Sequence, residues 1–152
     1  MKLAIISPYP PIKGGISKET EIIYSNIKSK YNVTIISFSR LYPNFLYPSD
    51  SQYDDSMKID DSRIRYDIDI LNPISWGKTA NHIINNDFTH VIFRYWNPFM
   101  APCLGTIAKI IRKKIKIIAV TDNIIPHEKR LGDTILTRFF ITKCHAFLTL
   151  SS

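Results

Sequence analysis

The sequence predicts an α/β protein built on a doubly wound, Rossmann-like parallel sheet. Short Ile- and Val-rich runs alternate with amphipathic stretches at helical spacing along the whole 152-residue chain. The first apolar run enters a glycine-bearing loop, a helix follows, and a second apolar run closes a βαβ unit. The run 115–121 is almost continuously apolar, which suits a parallel strand buried on both faces.

The elements follow in order. Lys2-Leu3-Ala4-Ile5-Ile6 marks a strand over about 2–7, and Pro8 to Gly15 is a Pro-rich, double-glycine loop. A helix is predicted over about 16–29 and a strand over about 32–38. Residues 39–62, rich in Tyr, Pro, Asp and Ser, form a connection long enough to expect a functional or mobile loop. Alternating polar and apolar residues predict a strand over 63–70. A helix over 75–85 carries Trp76, Ala80, Ile83 and Ile84 on one side. A strand over 89–94 is centred on Val91-Ile92-Phe93. The helix over 99–114 has Leu104, Ile107, Ala108 and Ile111 as its stripe. After the 115–121 strand comes a helix over about 132–143, with Ile135, Leu136, Phe139 and Phe140 apolar. A buried-looking strand over 146–150 closes the chain, an abrupt end that predicts the first part of a longer polypeptide.

Composition sets broad limits. The length fits one domain with a sizeable core, and 22% charged residues do not predict disorder. The net charge of +7 admits anionic partners, but the cations are dispersed. Lys109, Arg112, Lys113, Lys114 and Lys116 form the dense exception, at a helix end where cations also suit the dipole. Nucleic acid is not expected as a partner. Cys103 and Cys144 supply neither a disulfide framework nor metal spacing and fit a reducing compartment. The opening apolar run is too short for a signal peptide and breaks at Pro8, and no run is long enough to span a bilayer. A cytoplasmic location is expected, with peripheral contact at the inner membrane face as an option.

Several motifs fail on inspection. Gly77-Lys78-Thr79 looks like the end of a P-loop, but Asn72 stands where the earlier glycine belongs and Pro73 follows it. The first loop lacks GxGxxG spacing, and HExxH, GxSxG and CxxC are absent. The Asn32-Val33-Thr34 sequon begins a strand and is discounted.

Ligands of such sheets bind beyond the carboxyl ends of the strands, here 7–15, 37–43, 94–98 and 121–130. Gly14 and Gly15, with Ile16 behind them, would let a phosphate or sugar approach the backbone at a helix N-terminus; the plain alternative is a turn. Glu19 and Glu21, read as first-turn residues, would repel a phosphate, and Lys13 and Lys18 partly offset them. A hydroxyl-rich ligand escapes that conflict. Arg94, Trp96 and Asn97 are placed to hold a sugar ring or neutralise a phosphate, or else to pack and form a salt bridge. Asp122, Asn123, His127, Glu128, Lys129 and Arg130 crowd the exit of the fifth strand. His127 is a candidate proton donor or sugar ligand, against the alternative of a solvated loop. His82, His90 and His145 read as structural.

The segments 10–16 and 37–40 resemble the amino-terminal domain of family 4 retaining glycosyltransferases, which have the GT-B architecture. Ile92 to Phe99 and Thr121 to Glu128 look like motifs of one bacterial branch, and 147–151 resembles the strand preceding the rest of that domain. The likeness spans the chain, so residues 1–152 would form the acceptor-side domain, with the carboxyl-terminal donor-binding domain absent. It implies a nucleotide-sugar donor as co-substrate, no further cofactor, usually no metal, and a saccharide or lipid-linked acceptor. The glycine loop would lie near the donor diphosphate. Asp122-Asn123 occupies the neighbourhood where many members place a His, and His127 comes later. His127 and Asp122 are therefore the catalytic candidates, and this domain alone is expected to be inactive. A non-catalytic module that binds a partner protein or an anionic membrane surface is the alternative, motivated by the 109–116 stretch and the aromatic 41–53 loop.

Overall fold

The computed structural model describes residues 1–46, 51–121 and 131–149. Six strands form one all-parallel sheet: β1 (Lys2–Ile6), β2 (Asn32–Arg40), β3 (Ile64–Asp69), β4 (His90–Tyr95), β5 (Lys116–Thr121) and β6 (Ala146–Thr149). Their spatial order is β3-β2-β1-β4-β5-β6. The helices are α1 (Gly15–Ile27), α2 (Pro73–Asn85), α3 (Ala101–Ile111) and α4 (Asp133–Ile141). The doubly wound, Rossmann-like class expected from the alternation is the class observed.

Handedness distributes the helices. A right-handed crossover from β1 to β2 places α1 on one face of the sheet, and the crossovers running the other way place α2, α3 and α4 on the opposite face. Successive strand residues therefore feed two cores. Ala4, Ile6, Ile36, Phe38, Val91, Phe93, Ile117 and Ala119 pack with Ala80 and Ile83 of α2, Leu104 and Ile107 of α3, and Phe140 of α4. Leu3, Ile5, Val33 and Ile35 pack with Tyr24 of α1. Gly105 lets α3 and α4 close on each other, since a Cβ there would meet the Phe139 ring at 2.5 Å.

Four details differ from the sequence reading. Helix α2 starts two residues early because Asn72 Oδ1 accepts from the Ile74 N–H at 3.0 Å, and Pro73 sits where no N–H is needed. The helix expected over 99–114 divides into a 3₁₀ turn, Pro98–Met100, and α3. Strand β6 is the outer edge of the sheet, exposed rather than buried, with Phe147 and Leu148 45% and 55% accessible. Ile135 is likewise solvent-facing, because α4 turns Phe140 inward instead.

Among its described residues the long β2–β3 connection contains no α-helix, and it is clamped by Gln52. Its Oε1 accepts from the Leu41 and Tyr42 N–H groups at 3.0 and 3.2 Å, and its Nε2 donates to the Tyr42 carbonyl at 3.1 Å. The Lys13 N–H donates to the Gln52 carbonyl and the Asp54 N–H to the Pro11 carbonyl, at 2.9 and 2.7 Å. This segment thus braces the glycine loop against the end of β2.

Candidate functional site

The order of strands creates a switch point between β1 and β4, whose following helices leave on opposite faces. The loop after β1 runs over this point into α1. Gly14 has φ 135° and ψ 161°, a region that side chains rarely adopt. This conformation turns the chain into α1 without a capping side chain. The N–H groups of the first turn of a helix lack intrahelical partners, so this end is a donor-rich surface. Ser17, in that first turn, is 2% exposed, and its Oγ has no hydrogen-bond partner among the described residues. A cavity of about 200 Å³ lies against Gly14 and Ser17, with Pro10, Lys13, Lys18, Glu21 and Asp54 also on its wall.

Charge in this groove is balanced. Lys13 and Lys18 face Glu21 and Asp54. Asp54 is held below the usual carboxylate range by hydrogen bonds from the Ser56 hydroxyl and N–H, helped by the two lysines. The first turn of α1 contains no acidic residue, which corrects the sequence reading of Glu19 and Glu21. Glu19 instead points toward β4, where its Oε2 lies 2.6 Å from the Arg94 guanidinium. The backbone N–H groups of the first turn supply the donors, the buried Ser17 hydroxyl has hydrogen-bonding capacity to spare, and such a groove suits a phosphate or a hydroxyl-bearing ligand.

Arg94 is buried and lines a separate cavity of about 230 Å³ with Ile5, Ile23, Ile92 and Val120. The structure does not bring Arg94 into the glycine groove; it joins Arg94 to α1 through Glu19. Beside this pair, the Ser7 and Thr20 hydroxyls lie 2.7 Å apart, and Thr20 donates to the Ile16 carbonyl at 2.8 Å. Ser37 Oγ accepts from the Tyr9 N–H at 3.0 Å. Small hydroxyls thus pin the ends of β1 and β2 to the loop and helix.

After β4, Trp96 is half-buried and its indole N–H donates to the Tyr42 hydroxyl at 3.4 Å. Tyr42 stacks on Phe99 with centroids 5.6 Å apart. Asn97 Oδ1 accepts from the Phe99 N–H at 3.1 Å, so its side chain caps the 3₁₀ turn. These residues form an aromatic wall at the carboxyl edge, next to the Gln52 clamp. At the end of β5, Thr121 is buried, and its hydroxyl has no partner among the described residues. Asp122, Asn123, His127, Glu128, Lys129 and Arg130 lie outside the described residues.

The remaining candidates sort simply. Among the described residues no cluster of His, Cys, Asp and Glu is arranged to hold a metal ion. No described helix is long and apolar enough to cross a membrane. Burial pushes the Cys144 thiol up to about 12 and the Cys103 thiol higher still, so neither is an activated nucleophile. His145 Nδ1 accepts from the Ile117 N–H at 3.0 Å, a structural role. Sequence reasoning missed Ser17 and Gln52. A serine two residues after Gly15 was a usable signal, but nothing in the pattern marked Gln52.

Fold and site together define a Rossmann-like α/β domain with a donor-lined groove at its switch-point edge. No family model matches the chain, and no curated protein matches it.

Proposed function

We propose that this domain is the acceptor-side half of a retaining glycosyltransferase, which moves a sugar from a nucleotide-sugar to a hydroxyl acceptor. The observation that carries the reading is the uncapped N-terminus of α1, with Gly14 in a glycine-favoured conformation and the buried Ser17 hydroxyl unpartnered beside it. Such an end stabilises the negative charge of a diphosphate as the sugar leaves, without a base or metal at that point. The aromatic wall of Tyr42, Trp96 and Phe99 offers a stacking surface for an acceptor sugar. His127 and Asp122 would act nearest the transferred sugar, and Asn123, Glu128, Lys129 and Arg130 would contact the acceptor. The donor-binding residues would belong to a second domain, so this domain alone would position ligands without turnover.

The test is a titration of the chain with nucleoside diphosphates and nucleotide-sugars, followed by nuclear magnetic resonance. Perturbation centred on residues 13–18 supports the reading. A protein carrying both domains that binds no nucleotide-sugar and transfers no glycosyl group would sink it.

A second reading rests on the basic stretch. Lys109, Arg112, Lys113, Lys114 and Lys116 are all exposed around the end of α3 and the start of β5. They lie at the amino edge of the sheet, away from the groove. A membrane held there would attract the domain electrostatically and leave the carboxyl edge open. Binding to vesicles rich in anionic lipid that disappears with moderate salt, without sugar binding, would favour this non-catalytic role.

A further inference from the structure

The motif rejected as a P-loop lies in the middle of α2, where Lys78 and Thr79 cannot cradle a phosphate with a loop backbone. The same two side chains nonetheless line a groove of about 310 Å³ between α2 and the edge strand β3. Ser75, Lys78, Thr79 and His82 recur at helical spacing on one face of α2, opposite Arg65 and Asp67 of β3. Thr79 is 1% exposed, and its Oγ1 has no hydrogen-bond partner among the described residues. A buried hydroxyl is ordinarily satisfied, so an unsatisfied one on a residue that lines a cavity points to a ligand.

The other groups have defined roles. Ser75 Oγ is occupied by the backbone of Asp69 and Asn72. Asn86 Nδ2 donates to the His82 carbonyl at 2.8 Å, which orients its amide, and it also faces His82 Nδ1 at 3.2 Å. Nδ1 is therefore the acceptor, and the neutral ring carries its proton on Nε2. Arg65 donates Nε to Asp67 Oδ2 at 2.6 Å, and a guanidinium keeps four further N–H donors. Two cations against one carboxylate leave a net positive groove.

We propose that this groove is a second ligand site, independent of the glycine loop, which binds a phosphate group through Lys78, Arg65, the Thr79 hydroxyl and the His82 Nε2–H. A tetrahedral oxyanion matches donors that converge from two elements. Arginine and lysine supply the charge, and the hydroxyl selects for an acceptor oxygen.

The experiment is a titration of the isotopically labelled chain with inorganic phosphate, and in parallel with glycerol phosphate, at constant ionic strength. Expected are shifts at residues 65–67 and 74–82 that saturate independently of any shifts at residues 13–18. Thr79→Val and Lys78→Gln should each weaken binding at least fivefold, with unchanged circular dichroism, and Ser17→Val should leave it unaltered. Tighter binding of glycerol phosphate would identify a phosphate ester as the ligand, and equal binding would identify free phosphate. Shifts limited to residues 13–18, shifts spread over every exposed lysine, or native affinity retained in both α2 variants would overturn the proposal.

Discussion

Helices α1 and α2 both begin at the carboxyl edge of the sheet, but their first turns are finished differently. Asn72 closes α2 with a side-chain hydrogen bond, and Pro73 removes one N–H that would need a partner. Gly14 leaves α1 without a side-chain cap, beside the buried, unpartnered Ser17 hydroxyl. One end is completed by its own residues; the other presents donors to a groove. The difference teaches that α1 gives up local stability at its start and is secured elsewhere. Its second half supplies that security. Tyr24 is almost fully buried, and its hydroxyl donates to Asp61 at 2.8 Å.

The largest expected break comes at Gly14. Gly14→Ala meets no neighbouring atom but forces a side chain into a region nearly exclusive to glycine, at about 1–3 kcal/mol. Thermal unfolding should register that loss, and calorimetry should show nucleotide-sugar affinity reduced by roughly tenfold or more, as expected when backbone donors are displaced by about 1.4 kcal/mol.

Next is the anchor. Burial alone would raise the Asp61 carboxyl, but the Arg63 N–H, the Tyr24 hydroxyl and the Arg63 guanidinium outweigh it and hold the pKa at about 2. A carboxylate depressed in the folded state contributes stability that is present above its ordinary value of 3.8 and is lost as pH falls toward about 2. The contribution is ~2 kcal/mol. Asp61→Asn should lower stability by about that amount at neutral pH. Denaturant midpoints for the variant should vary less than native ones across this acid window. Equal pH slopes would refute the anchor.

A smaller effect separates the two helix starts. Asn72→Ala should cost about 1 kcal/mol in denaturant unfolding and leave nucleotide-sugar affinity unchanged. The smallest stability effect is at Ser17. Ser17→Ala removes a hydroxyl that has no partner to lose, so stability should hold or rise by up to about 1 kcal/mol while affinity falls. A stability loss matching that of Asn72→Ala would make Ser17 an ordinary structural group and erase the contrast.

Much of this was legible from local pattern. The stripe of Leu104, Ile107, Ala108 and Ile111 is fully buried, because a helical repeat can face only one core. The 115–121 run contains β5, lodged between β4 and β6, although Ile118 and Val120 on one face are only partly buried. Gly14 was visible as the hinge into a helix. Illegible were β6 and Ile135, which look like core residues but face solvent, because hydropathy does not say which strand ends up at an edge. The Arg94–Glu19 pair spans 75 residues of sequence, and the Gln52 clamp joins three segments, so neither leaves a local signature.

The sequence by itself determined the class of fold and, through it, the carboxyl edge at which ligands of such sheets bind. Periodicity, turn residues and the handedness of parallel crossovers act locally and admit few arrangements. Tertiary structure alone decided which polar groups in that region were satisfied. It turned Glu19 to Arg94 and left the Ser17 and Thr79 hydroxyls without partners. A hydrogen bond depends on distances of a few ångströms between residues far apart in the chain, and only the packed core sets those distances.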